Sequence, residues 1–308
     1  METRTLGRTG VAVTTLGFGG MELRGPPRVP ALDDDHAAAL MNAVLDSGIN
    51  LIDTSVDYGV SEEVIGRTLA ARRDEYFLCS KCGCSLDPAA GETGPYQHDW
   101  RPDNIRAGIE QSLRRLATDR LDLLQVHMSP SRSQMEADGT VEAMQELRSE
   151  GKVRFLGMSG TSPNLSDHIS MGVFDVFQVP YSAVQREHED LITAAADAGA
   201  GTLIRGGSAR GAAAEDKAWQ RDPLGMPPGE GRRRWDGSGI DEVLDGMSRF
   251  ELVLRFTISH PALSSTIVGT SNIEHLRSNL AIVEKGALPA DLYEEAKKRL
   301  QPGPGSVG

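Results

Sequence analysis

The sequence predicts an α/β protein of the (β/α)8 class, a TIM barrel, folded as a single domain. Three observations point there. Apolar runs of strand length alternate with helical patterns almost without interruption, as parallel βα units do. The alternation yields eight strands and eight helices, the count of that barrel. The 308-residue length exceeds the common domain size, yet α/β barrels reach it as one unit.

The elements follow in order. "RTLGRTGVAVTTLGFGGM" reads as an N-terminal hairpin leading into a strand near 14–18. Further strands are expected at 50–54, 76–81, 121–127, 153–159, 175–181, 201–205 and 265–269. Helical spacing predicts helices near 35–47, 61–71, 102–117, 140–150, 164–171, 187–198, 241–259 and 272–284. Asp33 to Asp35 precede the first helix, and Asn272 with Glu274 opens the eighth, because short polar side chains accept from the free N–H groups of a first turn. Gly48, Gly151 and Gly199 follow helices, where a left-handed residue often ends the last turn.

One stretch breaks the rhythm. Residues 206–239 hold eleven glycines and prolines, with no strand or long helix evident. Such a long loop in a compact domain is usually functional or disordered. Coming after the seventh strand, it belongs on the barrel's C-terminal face. Trp219, Trp235 and Arg232 to Arg234 make it a candidate substrate lid, with a solvated excursion as the alternative. The domain is expected to span 1–300, followed by a disordered tail at 301–308, "QPGPGSVG".

Hydrophobic residues at 39% and charged residues at 25% suit a soluble chain with a sizeable core. The formal charge of −12, from 32 basic and 44 acidic residues, argues against nucleic acid or an anionic membrane as partner. No run approaches the roughly 20 apolar residues of a membrane span. The chain enters "TRTLGRTGVAV" with no apolar signal core, so a cytoplasmic location is expected. Cys79, Cys82 and Cys84 all fall in "CSKCGC", an odd count that makes no disulfide framework. Cys79 and Cys82 have a zinc-like spacing but no second pair downstream, and structural zinc takes four ligands. No metal site is therefore expected, and neither His98 nor any other histidine shows ligand spacing around His127. The plain alternative is a buried strand cysteine and two small loop residues flanking Lys81.

Asp53, Tyr58, Lys81 and His127 each sit where an apolar run gives way to a loop, in "NLIDTSVDYG", "YFLCSKCG" and "LDLLQVH". A tyrosine is a poor acid at neutral pH, its pKa near ~10. A nearby ammonium favours the phenolate, and a carboxylate orients that ammonium, which would bring Tyr58 toward the range useful for proton transfer. A histidine beside the same hydroxyl could hold a carbonyl oxygen. Taken singly, Asp53 could cap a turn, Tyr58 could be a surface aromatic and His127 a satisfied core residue. Lys81 is costly at the end of an apolar strand unless paired, and Asp53 is its natural partner. Barrel enzymes place their chemistry at such strand ends. His260, before Pro261 in "SHPA", reads as structural.

Together with "GINLIDTSVDYG", "SEEVIGRTL" and "SLRRLATDRLDLLQVH", the segments "GKVRFLGMSG", "FQVPYS" and "IVGTSNIEHLRSNL" stand in the order and at the intervals of the aldo-keto reductase family, which the chain resembles over nearly its whole length. The resemblance implies that Tyr58 is general acid in reduction and base in oxidation, that Lys81 and Asp53 tune it, and that His127 orients the carbonyl. No G-x-G-x-x-G follows an early strand, so no Rossmann site is visible. The resemblance instead implies a nicotinamide cofactor extended across the barrel mouth, with Gly20 among the residues that bind it. Ser159 and Gln178 match the positions that hold its carboxamide, although Gly160 replaces an asparagine common in relatives. Arg205 replaces a stacking tyrosine, a role a guanidinium plane can take. Gly206 and Gly207 would let the backbone approach the pyrophosphate.

Gly269, Thr270 and Ser271 open the eighth helix, whose free N–H groups and dipole suit a 2′-phosphate. Gly269 and His275 stand where NADPH-strict relatives carry lysine and arginine; Arg277 is a cation at another position, and Asn279 matches an adenine contact. NADP(H) is the expected cofactor, with NAD(H) as the alternative. The substrate wall is expected from Met21, Tyr96, Trp100, Met128, Trp219 and Trp235. The implied reaction is reduction of an aldehyde or ketone by hydride transfer. Oxidation of a secondary alcohol or sugar is the alternative within enzymes, and a cofactor-sensing regulatory subunit the alternative outside them.

Overall fold

Strand residues point alternately to the two sides of a sheet, so a closed sheet sorts its sequence into an inner and an outer set. This sorting organises the computed structural model, which describes residues 1–27, 29–86, 98–214, 219 and 226–301. In chain order the elements are β1 (Thr3–Thr5), β2 (Ala12–Thr14), β3 (Leu16–Gly19), α1 (Asp34–Asp46), β4 (Leu51–Asp53), α2 (Ser61–Leu69), β5 (Phe77–Cys82) and α3 (Pro102–Arg115). Then come β6 (Leu121–His127), α4 (Arg132–Asp138), α5 (Thr140–Ser149), β7 (Val153–Ser159), α6 (Leu165–Ser170), β8 (Val176–Pro180), α7 (Glu189–Asp197) and β9 (Gly201–Arg205). The chain closes with α8 (Glu230–Asp236), α9 (Arg249–Ile258), β10 (Ser265–Val268), α10 (Ile273–Glu284) and α11 (Ala290–Arg299).

Strands β3 to β10 form a closed parallel barrel, sealed where β10 pairs with both β3 and β9. This is the predicted (β/α)8 architecture. The antiparallel hairpin β1–β2 stands apart from it. Leu6 and Val13 of that hairpin region pack with Leu51, Cys79, Leu123, Val176, Leu203 and Ile267 as an apolar plug inside the barrel. Two residues further along the same strands the inner set turns polar: Asp53 follows Leu51, Lys81 follows Cys79, Gln125 follows Leu123, Gln178 follows Val176 and Arg205 follows Leu203. The apolar layer therefore sits low and the polar layer at the C-terminal mouth. Gly157 leaves room for that layer, since a Cβ there would stand 3.0 Å from Gln125 Cγ.

The larger core lies between barrel and helices, and Leu40, Met41, Ile65, Ile109, Leu124, Met144 and Phe256 are fully buried in it. Three helices were not anticipated: α4, α8 and α11. In α11, "ADLYEEAKKR", only Tyr293 and Ala296 are buried, so its apolar stripe is too narrow to register as helical periodicity. Helix α9 is shorter than the expected 241–259. Asp245 (φ +43°) and Gly246 (φ +79°) break the chain before it, and the Ser248 hydroxyl caps its new start by accepting from Glu251 N–H. Of the expected tail, 302–308 lies outside the described residues. No helix among the described residues is long and apolar enough to cross a membrane.

Candidate active site

Lys81 is 2% exposed at the end of β5. Its ammonium donates to Asp53 Oδ2 at 2.7 Å and to the Thr54 carbonyl at 2.8 Å. Burial opposes the charge, but Asp53, Tyr58 and the bond to Asp53 outweigh it and hold the pKa above the ordinary lysine value. The other Asp53 oxygen accepts from Gln125 Nε2 and Gln178 Nε2, each at 2.9 Å. Gln178 Oε1 in turn accepts from the Ser159 hydroxyl at 3.1 Å. Five strands thus contribute to one buried chain of hydrogen bonds centred on the Asp53 carboxylate. Gln125 was not singled out in the sequence, although its period-two offset from His127 in "LLQVH" marks it as an inward polar residue.

Tyr58 follows β4 on a loop fixed by close backbone contacts. Gly59 takes φ +49°, and a Cβ there would stand 2.2 Å from the Arg24 carbonyl. The Lys81 ammonium lies 4.9 Å from the centre of the Tyr58 ring, and the Arg24 guanidinium 5.2 Å from it. The charge effect differs from the sequence-based expectation. Burial raises the Tyr58 pKa above its ordinary value; Lys81 pulls it down but does not prevail, and Asp53 and Asp57 push it further up. Desolvation of a phenolate costs more here than one buried ammonium returns, since that ammonium is already shared with Asp53.

At the end of β6, Cys84 Sγ stands 3.0 Å from His127 Nδ1, and Asp57 Oδ1 lies 3.9 Å from the same nitrogen. Burial pushes the His127 pKa down to about 3, with Asp57 opposing and Lys81 reinforcing, so the ring is neutral at pH 7. Trp100 Nε1–H donates to the His127 carbonyl at 3.0 Å. The two residues after His127 take left-handed backbones, Met128 at φ +71° and Ser129 at φ +59°, a costly conformation that concentrates at functional loops. Cys84 and His98, both beside His127, carry no signal in sequence spacing; only the fold joins them to it.

The residues matched to a nicotinamide cofactor are Gly20, directly after β3, and a set running from the end of β7 to α10. Arg205, half-buried at the end of β9, has its pKa lowered by burial, with Tyr58 and Asp53 opposing. Among the described residues no carboxylate forms an ion pair with it. A half-buried guanidinium lacking a carboxylate suits an anionic ligand. Beside it Gly206 takes φ +73° with open space where a Cβ would stand, so the backbone there can be approached closely. These two features fit a pyrophosphate-bearing cofactor. Gly207 differs: a Cβ would stand 2.1 Å from Thr266 Oγ1, so its small size serves packing against β10. Gly20 and Gly269 are likewise packed, against Ser61 Oγ at 2.6 Å and the Gly19 carbonyl at 2.5 Å. The Gly160 N–H donates to the Gln178 carbonyl at 3.1 Å.

At α10, Asn272 Oδ1 already accepts from Glu274 N–H at 2.8 Å and His275 N–H at 3.4 Å. Thr270 Oγ1 accepts from Asn272 N–H at 3.0 Å, and the Ser271 carbonyl is bonded to His36 Nε2 at 2.7 Å. Arg277 is exposed and paired with Glu274 at 2.5 Å, while Asn279 is buried. A 2′-phosphate at this end would compete with a formed cap.

The described residues of the expected substrate wall differ in exposure. Met128 is 59% exposed at the mouth, and Met21 and Trp100 are half-buried. Gly83 (φ +85°) makes the seat for Trp100, whose Cδ1 a Cβ would meet at 2.2 Å. Tyr96 lies outside the described residues. Trp235 is placed differently: it is 1% exposed, donates to Asp241 Oδ1 at 3.0 Å and packs on Trp219 with ring centres 5.9 Å apart. A side chain buried to this degree has no face left for substrate. Arg232, Arg233 and Arg234 are committed to Asp236, Glu230 and Glu187.

A closed parallel barrel with ionisable side chains gathered at its C-terminal mouth is the arrangement of barrel enzymes. The chain belongs to the aldo/keto reductase family, an oxidoreductase family whose model matches residues 15–300. The uncharacterized oxidoreductase YqkF of Bacillus subtilis is 28% identical over 98% of this chain and 96% of its own. L-galactose dehydrogenase of Arabidopsis thaliana is 28% identical over 98% of this chain and 95% of its own. Among solved structures, the holo form of an aldo-keto reductase from Bacillus halodurans superposes with a TM-score of 0.82 at 27% identity, covering 98% of this chain and 97% of that one.

Proposed function

We propose that the protein is an NAD(P)H-dependent oxidoreductase that reduces an aldehyde or ketone to an alcohol, with Tyr58 as general acid. The observation that carries this reading is the buried Lys81–Asp53 pair at 2.7 Å, with its ammonium 4.9 Å from the Tyr58 ring. A raised Tyr58 pKa keeps the hydroxyl protonated through neutral pH, as a proton donor to a developing alkoxide requires. His127, neutral, presents an N–H rather than a cation to the carbonyl oxygen. Asp53 holds Lys81 in place and, through Gln178 and Ser159, links the proton donor to the residues that would orient the cofactor's carboxamide. Arg205 and Gly206 would take its pyrophosphate. When bound, the cofactor supplies the hydride.

NADP(H) is the preferred cofactor of this reading and NAD(H) the alternative, because the cations of NADPH-strict relatives are absent at Gly269 and His275. The test is steady-state consumption of NADPH and NADH with a panel of aldehydes and ketones. Turnover supports the reading; stoichiometric cofactor binding without turnover would favour a regulatory subunit. The similarity to L-galactose dehydrogenase favours a second reading, sugar oxidation on the same site. L-galactose and other aldoses offered with oxidised cofactor decide between the two.

A further inference from the structure

One sulfur and two imidazoles meet at the mouth, from three separate stretches of chain. One ligand atom each of Cys84, His98 and His127 lies within 4.8 Å of the other two. Backbone pairing sets this arrangement. Cys84 and His98 face each other in an isolated antiparallel bridge, beside which the Asp99 N–H donates to the Gly83 carbonyl at 2.8 Å. The Asn104 amide clamps the pair by donating to the Cys84 carbonyl at 3.2 Å and the Asp99 carbonyl at 2.6 Å. Trp100 stacks on His98 with ring centres 5.7 Å apart and ties this corner to the end of β6 through the His127 carbonyl. The His98 ring meets His127 edge-on, at 5.6 Å and 78°.

We infer that Cys84, His98 and His127 form a binding site for a divalent cation of the zinc class. Sulfur with two imidazole nitrogens is a donor set that zinc accepts, and three protein ligands leave a fourth tetrahedral position for water or a carboxylate. Asp57 Oδ1, 3.9 Å from His127 Nδ1, adds a negative charge beside the site. With metal–sulfur about 2.3 Å and metal–nitrogen about 2.0–2.1 Å, tetrahedral donors stand about 3.6 Å apart. The observed 3.0 Å between Cys84 Sγ and His127 Nδ1 needs only a small opening, while His98 draws in. On binding, the Cys84 S–H bond breaks, its proton leaves to solvent and a metal–thiolate bond forms. Ligation through Nδ1 also fixes the remaining His127 proton on Nε2. The inference stands whichever reaction the mouth performs.

The test strips the full-length protein with a chelator and titrates it with cobalt(II), a spectroscopic stand-in for zinc. One equivalent should bind with a thiolate-to-cobalt charge-transfer band and tetrahedral d–d bands, and zinc(II) should abolish both. Cys84→Ser should remove the charge-transfer band. His98→Gln, altering a half-buried side chain, should weaken zinc binding by more than the roughly 10- to 100-fold lost with an outer-shell partner. If Cys84→Ser does not fold, His98→Gln decides alone. A spectrum without the thiolate band, a band that persists in Cys84→Ser, or unchanged zinc affinity in His98→Gln overturns the inference.

Discussion

At Tyr58 burial raises the pKa while the Lys81 ammonium lowers it, and burial prevails. Tyr58→Phe should therefore lower the rate of carbonyl reduction by about 10²- to 10⁴-fold while changing cofactor affinity little. A kcat above about a tenth of wild type would move the proton to another residue. Lys81→Met removes the main influence lowering the Tyr58 pKa, so the pH at which reduction fades should move up and oxidation at neutral pH should slow. The same change strands Asp53, which two amides hold inside the barrel, and should cost about 3 kcal/mol in chemical denaturation. His127 contributes a separate acid sensitivity. Its folded pKa of about 3 lies below the unfolded value near ~6.5, so the unfolded state binds the proton more readily. The stability this group supplies is present above pH ~6.5 and lost as pH falls toward 3. His127→Gln should lose less stability than wild type between pH 7 and 4.5; equal losses would assign the acid sensitivity elsewhere.

Among the elements, helix α10 shows how a cap and a ligand site can compete. Asn272 already satisfies the Glu274 and His275 N–H groups, and Arg277 is held only by an exposed pair with Glu274, which contributes little. Arg277 can therefore turn to a 2′-phosphate at small cost, whereas the backbone groups cannot. Arg277→Ala should weaken NADPH binding by about 1 kcal/mol and leave NADH binding nearly unchanged. Equal losses for both cofactors, read by fluorescence titration, would place this residue away from the phosphate. The strands were legible element by element because their apolar runs are short and bounded by turn residues. Helix α11 was not, because most of its surface faces water and its periodicity is faint.

For the whole molecule, the barrel is the frame on which cofactor binding acts by mass action. A nicotinamide cofactor that binds only the folded chain should raise its stability by about 2.7 kcal/mol at a hundredfold excess over Kd. An unchanged denaturation midpoint at saturating NADPH and NADH would remove the cofactor from the proposed function. The sequence by itself determined the barrel, the position of Asp53, Lys81 and His127 at strand ends and of Tyr58 in the loop after one, and the pairing of Lys81 with the nearest inward carboxylate. These follow from local patterns: strand period, turn residues, and the cost of an unpaired buried charge. Tertiary structure alone decided that Gln125 joins the Asp53 network, that Trp235 is enclosed rather than lining the mouth, and that Cys84 and His98 stand beside His127. It also decided that Tyr58 titrates above its ordinary value. Each of these depends on how much solvent the surrounding strands and loops exclude and on which distant segments they bring within a few ångströms, and neither is encoded in spacing along the chain.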